Sequence, residues 1–182
     1  MDAWAQALGD YRPADAVEAR DVERVRRLVR SGEPWSRSTR LHLTGSALIV
    51  HVPTQRVLLR WHARQQAWLQ VGGHADPGEA DPLAIALREG REETGLGDLR
   101  AWPDGRIVHM GVVPVPPGKG EPAHEHADVR YVVATEQPDQ ATPEDEGALL
   151  RWLSLDEAHE ATHEDNLRET LRRVRHLLQD AT

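Results

Sequence analysis

The chain has 182 residues, 39% of them apolar and 29% charged, which suits one soluble globular domain with terminal additions. There is no cysteine, so disulfides, thiolate metal sites and cysteine nucleophiles are excluded. The net charge of −8 argues against a general nucleic-acid binder, yet it leaves anionic ligands open, because carboxylates hold divalent cations that in turn bind phosphates.

Asp2, Asp10, Arg12 and Asp15 interrupt the N-terminal stretch, so no apolar run of signal-peptide type is present. No segment approaches the roughly 20 apolar residues that span a bilayer. The expected location is the cytoplasm, with neither a membrane nor a nucleic acid as partner. Residues 2–31 read as helical, with Val17, Val22, Val25, Leu28 and Val29 at helical spacing. Asp21 is the expected N-cap and Ser31-Gly32 with Pro34 the stop. Residues 1–35 are expected to form a helical extension that packs on the core, and residues 36–182 the main domain.

From Leu41 the pattern turns to strands. Residues 43–52 and 56–61, joined by Pro53-Thr54-Gln55, read as a hairpin. A short strand over 68–71 runs into Gly72-Gly73. Residues 81–94 read as a helix, with Pro82 in its first turn and Gly95 as its stop. Leu83, Ala84, Leu87 and Gly90 are the residues expected to pack inward. Strands follow over 106–115, 129–135 and 149–153, then a short helix capped by Ser154 and a terminal helix over 163–179. Alternating strands and helices give a mixed α/β domain.

The helix over 81–94 carries the chemistry. Glu89, Glu92 and Glu93 stand at i, i+3 and i+4, so three carboxylates share one face within about one turn. Like charges so placed destabilise a bare helix by about 0.2–0.5 kcal/mol per pair, and a hard divalent cation is one means of compensation. Arg88, four residues before Glu92, can pair with that carboxylate. Gly72 and Gly73 let backbone approach the acidic face.

The segment GGHADPGEADPLAIALREGREETGL resembles the signature of the Nudix hydrolase family, G-x5-E-x7-R-E-U-x-E-E-x-G-U with U a bulky aliphatic residue. Gly73, Glu79, Arg88, Glu89, Glu92, Glu93, Gly95 and Leu96 occupy its positions. It departs twice. Eight residues separate Glu79 from Arg88, the extra one falling near Asp81-Pro82, and Gly90 stands where an aliphatic is usual. A bulky neighbour, such as a Trp, is expected against Gly90.

The resemblance implies an α/β/α sandwich around a mixed sheet. It implies hydrolysis of a diphosphate linkage in a nucleotide or nucleoside diphosphate derivative, with Mg²⁺ as cofactor and Mn²⁺ as the alternative. Glu89, Glu92 and Glu93 are then the metal ligands, with Glu79 and the Gly72 carbonyl as further members, and Arg88 orients the glutamates. The general base varies in the family; Glu89 and the acidic loop 144–146, with Glu146, are the two options. Around the site, His74, His124, His126 and Arg60 are expected to contact substrate. His124, His126 and Asp128 alternate along a strand and could also hold a transition metal. Trp35, Trp61, Trp68 and Trp102 could stack on a ligand, with core packing the simpler role. The family often dimerises, which leaves a homodimer open. The competing reading is a non-catalytic nucleotide- or protein-binding module; an isomerase of the isopentenyl-diphosphate type is excluded by the missing cysteine.

Overall fold

The computed structural model describes residues 3–118, 120–145 and 147–181. Its first two helices are α1 (Ala3–Asp10) and α2 (Ala16–Arg30). Residues 2–31 were expected to be helical, with an N-cap at Asp21. Instead the chain breaks after Asp10, and Asp15 caps α2 by accepting from the Val17 and Glu18 backbone amides. Pro13 lies in the break, where its missing N–H costs nothing. Asp21 sits inside α2 and accepts from the Val112 backbone amide at 3.0 Å.

The strands are β1 (Leu41–His51), β2 (Arg56–His62), β3 (Ala67–Leu69), β4 (Val71–Gly73), β5 (Arg100–Ala101), β6 (His109–Val115), β7 (His124–Ala134) and β8 (Leu150–Ser154). The helix α3 (Pro82–Thr94) falls between β4 and β5, and α4 (Leu155–Ala161) and α5 (Asp165–Asp180) follow β8. The strand expected over 68–71 is thus two strands, and the one expected from 106 begins at His109. β7 starts five residues before the expected Val129, and β5 was too short to show a pattern.

The sheet is mixed. β1 lies parallel to β7 from Leu41↔Glu125 to Val50↔Ala134, and antiparallel to β2 and β4. β7 also carries β5 and β6, and β2 carries β3 and β8. β1 is buried from His42 to Val50 because helices lie over both faces, which is why its second half, Ala47 to Val50, reads as a continuous apolar run. Its odd positions Leu43, Ala47 and Ile49 join Trp4, Leu8, Val22, Val25 and Ala86, from α1, α2 and α3. Its even positions Leu48 and Val50 join Leu155, Ala158, Leu167, Leu171, Val174 and Leu178, from α4 and α5.

The two N-terminal helices are tied down electrostatically as well. Arg173 of α5 donates to both Glu18 oxygens at 2.9 Å, and Tyr11 donates to the same carboxylate. Burial alone would raise the Glu18 carboxyl; the bonds from Arg173, the Ala14 amide and Tyr11 overcome that and hold it at about 2. Among the described residues no helix is long and apolar enough to cross a membrane.

Candidate active site

Period-2 alternation decides what lines the site. On the face where α5 covers Leu48, Val50, Val132 and Ala134, the same strands carry polar residues nearer the start of β1 and β7. Register pairs His42 with His126, Thr44 with Asp128 and Ser46 with Arg130. All of these but His42 line a cleft of about 430 Å³, walled by Gly72, Gly73, His74 and Glu89. No tryptophan lines it. Trp35 meets Trp4 edge-on at 5.9 Å and Trp61 meets Trp68 at 5.5 Å, while Trp102 packs on the α5 side, so all four candidates serve packing.

α3 presents the acidic face as its spacing requires. Asp81 caps it by accepting from the Leu83 and Ala84 amides, and Gly95 ends it at φ +67°. The fully buried residues are Pro82, Ile85, Ala86, Gly90 and Thr94; of the residues expected to pack inward, Gly90 is buried, Leu83 and Leu87 are half-buried against the core, and Ala84 is exposed. The neighbour at Gly90 is Leu99 rather than a tryptophan. A Cβ built on Gly90 would lie 2.9 Å from Leu99 Cδ1. Gly73 has a comparable reason to lack a side chain, since a Cβ there would collide with the Glu89 carboxylate.

Arg88 organises the acidic set. Its Nε and Nη2 donate to the two Glu79 oxygens at 3.0 and 2.9 Å. Its Nη1 donates to Glu89 at 2.9 Å and to Glu92 at 2.8 Å, and Nη2 also reaches the His74 carbonyl at 2.8 Å. The extra residue before Arg88 therefore does not displace Glu79. A turn just before Glu79 orients it: its amide donates to the Asp76 carbonyl, and the Asp76 amide donates to its side chain. The bonds from Arg88 hold the Glu79 carboxyl below the usual range.

Glu93 faces the other way, accepting from the Gly72 amide at 3.2 Å and pairing with Arg60 at 3.1 Å. Burial pushes its carboxyl up to about 7 and raises Glu89 in the same direction. Two desolvated carboxylates on adjacent turns favour any cation that can replace their protons. Arg60 also approaches Glu144 at 3.8 Å, which brings the acidic loop over the Glu93 side of the site. Glu146 of that loop lies outside the described residues. Among the described residues, the buried Nε of Arg60 has no acceptor.

His74, His124 and His126 line the cleft, but their Nε2 atoms meet one another and that of His42. Burial lowers His42, brings His74 down to about 4 and His126 to about 3. Asp128 does not join them. It is buried, accepts from Thr44, Ser46 and Arg130 at 2.7–2.8 Å, and is kept ionised by Arg130 against its own desolvation. His42 escaped sequence reasoning, because it sits in an apolar strand and only the β1–β7 register places it beside His126.

Known proteins resemble this chain in sequence and in fold. The NUDIX domain model matches residues 41–174. A protein of Lactococcus lactis subsp. cremoris (strain MG1363), described as a probable DHNTP pyrophosphohydrolase, is 30% identical over 122 residues, covering 66% of this chain and 68% of its own. Among solved structures, the C. elegans Ap4A hydrolase binary complex aligns with a TM-score of 0.60 at 19% identity, over 76% of this chain and 98% of that one. The E. coli dihydroneopterin triphosphate pyrophosphohydrolase aligns with a TM-score of 0.55 at 18% identity, over 72% and 92%.

Proposed function

The chain belongs to the Nudix family and is a pyrophosphohydrolase of that type; from this premise we propose that it uses Mg²⁺, or Mn²⁺ in its place, to cleave a diphosphate linkage in a nucleotide or nucleoside diphosphate derivative. One observation carries the reading: Glu89 and Glu93, desolvated on adjacent turns of α3, stand against Gly73 and Gly72 with Glu92 beside them. Hard carboxylate oxygens and a nearby backbone carbonyl are the donor set such a cation takes.

Glu89, Glu92 and Glu93 would hold the ion, with the Gly72 carbonyl as a further ligand. When bound, it neutralises phosphate charge and lowers the pKa of coordinated water. The remaining work falls to the chain. Arg88, clamped by Glu79, fixes the directions of Glu89 and Glu92. Arg60 balances charge beside Glu93, and a substrate phosphate would compete with that carboxylate for its guanidinium. The base is Glu89 or a carboxylate of the loop 144–146. Glu89 borders the cleft, and burial already favours its protonated form, as accepting a proton from water requires.

The test is a panel of nucleotide and pterin triphosphates, dinucleoside polyphosphates and nucleoside diphosphate conjugates, assayed with Mg²⁺ or Mn²⁺ for released phosphate. The pterin substrates are included because the Lactococcus relative is described as acting on one. Turnover on at least one, reduced more than about 100-fold in Glu93→Gln with the fold intact, is the expected result. Nucleotide binding without turnover on any member would favour the binding-module reading.

A further inference from the structure

Beyond the acidic site, four histidines from three segments converge, three of them lining the cleft. His42 lies on β1, His124 and His126 on β7, and His74 just after β4. His42 Nε2 is 3.1 Å from His74 Nε2, His74 Nε2 is 3.2 Å from His126 Nε2, and His126 Nε2 is 3.2 Å from His124 Nε2. His42, His124 and His126 have donor nitrogens all within 4.8 Å of one another.

These contacts cannot all be hydrogen bonds. The His42 Nδ1 faces the Thr39 carbonyl at 3.1 Å, and the His124 Nδ1 faces the Pro122 carbonyl at 2.9 Å. A carbonyl only accepts, so both Nδ1 atoms carry the proton and, in the neutral rings, both Nε2 atoms present a lone pair. His74 and His126 must then donate outward, to His42 and His124. That leaves their mutual 3.2 Å contact between two N–H nitrogens with no acceptor on either side. Removing either proton leaves another pair with lone pairs face to face. A cation at the centre resolves the conflict, because every Nε2 then offers its lone pair to the same partner.

The three successive Nε2 separations are close to those of ligands on one ion. Zinc–imidazole bonds of about 2.0–2.1 Å in a tetrahedron put ligand nitrogens about 3.3–3.4 Å apart. The Nδ1 bonds to backbone carbonyls are the outer contacts that orient metal-binding imidazoles.

We propose that His42, His124 and His126, with His74 as fourth donor, form a zinc-class transition-metal site separate from the glutamate site. An all-imidazole set suits zinc and its neighbours and is a poor host for Mg²⁺. The ion would tie β1 to β7 and to the loop that bears His74. Since the His74 carbonyl is held by Arg88, the same ion would steady that loop against the acidic helix. On this reading the histidines act on the substrate by shaping the cleft rather than by touching phosphate.

The full-length protein, stripped with a chelator, is titrated with Zn²⁺ alone, with bound metal counted by elemental analysis and stability followed by melting temperature. One equivalent should bind and raise the melting temperature. His124→Ala, at a partly exposed position, should weaken binding more than about 100-fold, since loss of outer-shell contacts alone costs 10–100-fold. Glu89→Gln and Glu93→Gln should bind Zn²⁺ as the wild type does. Uptake that survives His124→Ala or disappears in the glutamate variants would overturn the proposal, as would no stoichiometric uptake. Should the histidine variant not fold, X-ray absorption of the zinc-loaded wild type decides: a shell of imidazole nitrogens supports the site, and a carboxylate-oxygen shell refutes it.

Discussion

The pairing of Glu79 with Arg88 gives the sharpest quantitative test of the acidic site. Glu79→Gln keeps one acceptor oxygen but turns an amide NH₂ towards Arg88, so one of the two bonds at 2.9–3.0 Å is lost. A hydrogen bond to a charged group contributes about 1.5–3 kcal/mol. Both side chains are about a quarter exposed, which reduces this to roughly 1–2 kcal/mol. If Glu79 acts by holding Arg88, that loss appears as misdirected Glu89 and Glu92. Turnover should fall by about 10-fold, each 1.36 kcal/mol being tenfold in rate. Arg88→Ala frees three carboxylates at once and should cost about 100-fold or more. The double variant should be no slower than Arg88→Ala, because Glu79 then has nothing left to hold. Steady-state kinetics at saturating Mg²⁺ measure all three. Independent, multiplying losses would refute a positioning role and place Glu79 directly at the metal or substrate.

Two further outcomes rest on other parts of the fold. Gly90→Ala gains about 0.8–1.0 kcal/mol of helix propensity but presses a methyl to 2.9 Å from buried Leu99, where overpacking costs about 1–3 kcal/mol. Urea unfolding should show a net loss of about 1 kcal/mol in the wild type and a net gain in a Leu99→Ala background; stabilisation in both would remove the close contact from the account. The Glu18 carboxyl drops from 4.5 to about 2 on folding, so its contribution is complete above about pH 4.5 and fades as pH falls towards 2. The drop corresponds to an upper limit of about 3 kcal/mol. Glu18→Gln should therefore destabilise strongly at pH 7 and little near pH 2, and an equal loss of melting temperature at both would refute the ion-pair role.

What could be read from the chain alone is what local geometry controls. Glu89, Glu92 and Glu93 share a face because helical spacing is the same in any context, and Asp81-Pro82 and Gly95 bound that helix through their own backbone preferences. The strands of the core showed as apolar runs for a similar reason. The break before α2 was obscured, because Val17 to Val29 keep helical spacing whether one helix or two precede them, and only the Asp15 side chain marks where the second starts.

Tertiary structure decided the rest. Whether Glu79 reaches Arg88 despite the additional residue depends on the path of the chain between them in space, which residue counting cannot reveal. The occupant of the space at Gly90 is Leu99, supplied by chain beyond the helix. The placement of His42 against His126 follows from the parallel β1–β7 register, a pairing between residues far apart in sequence. Such pairings depend on which strands the helices leave free to meet, so they carry no mark in the local pattern. The acidic helix was thus written into consecutive residues, while the histidine wall exists only because the sheet brings two strands side by side.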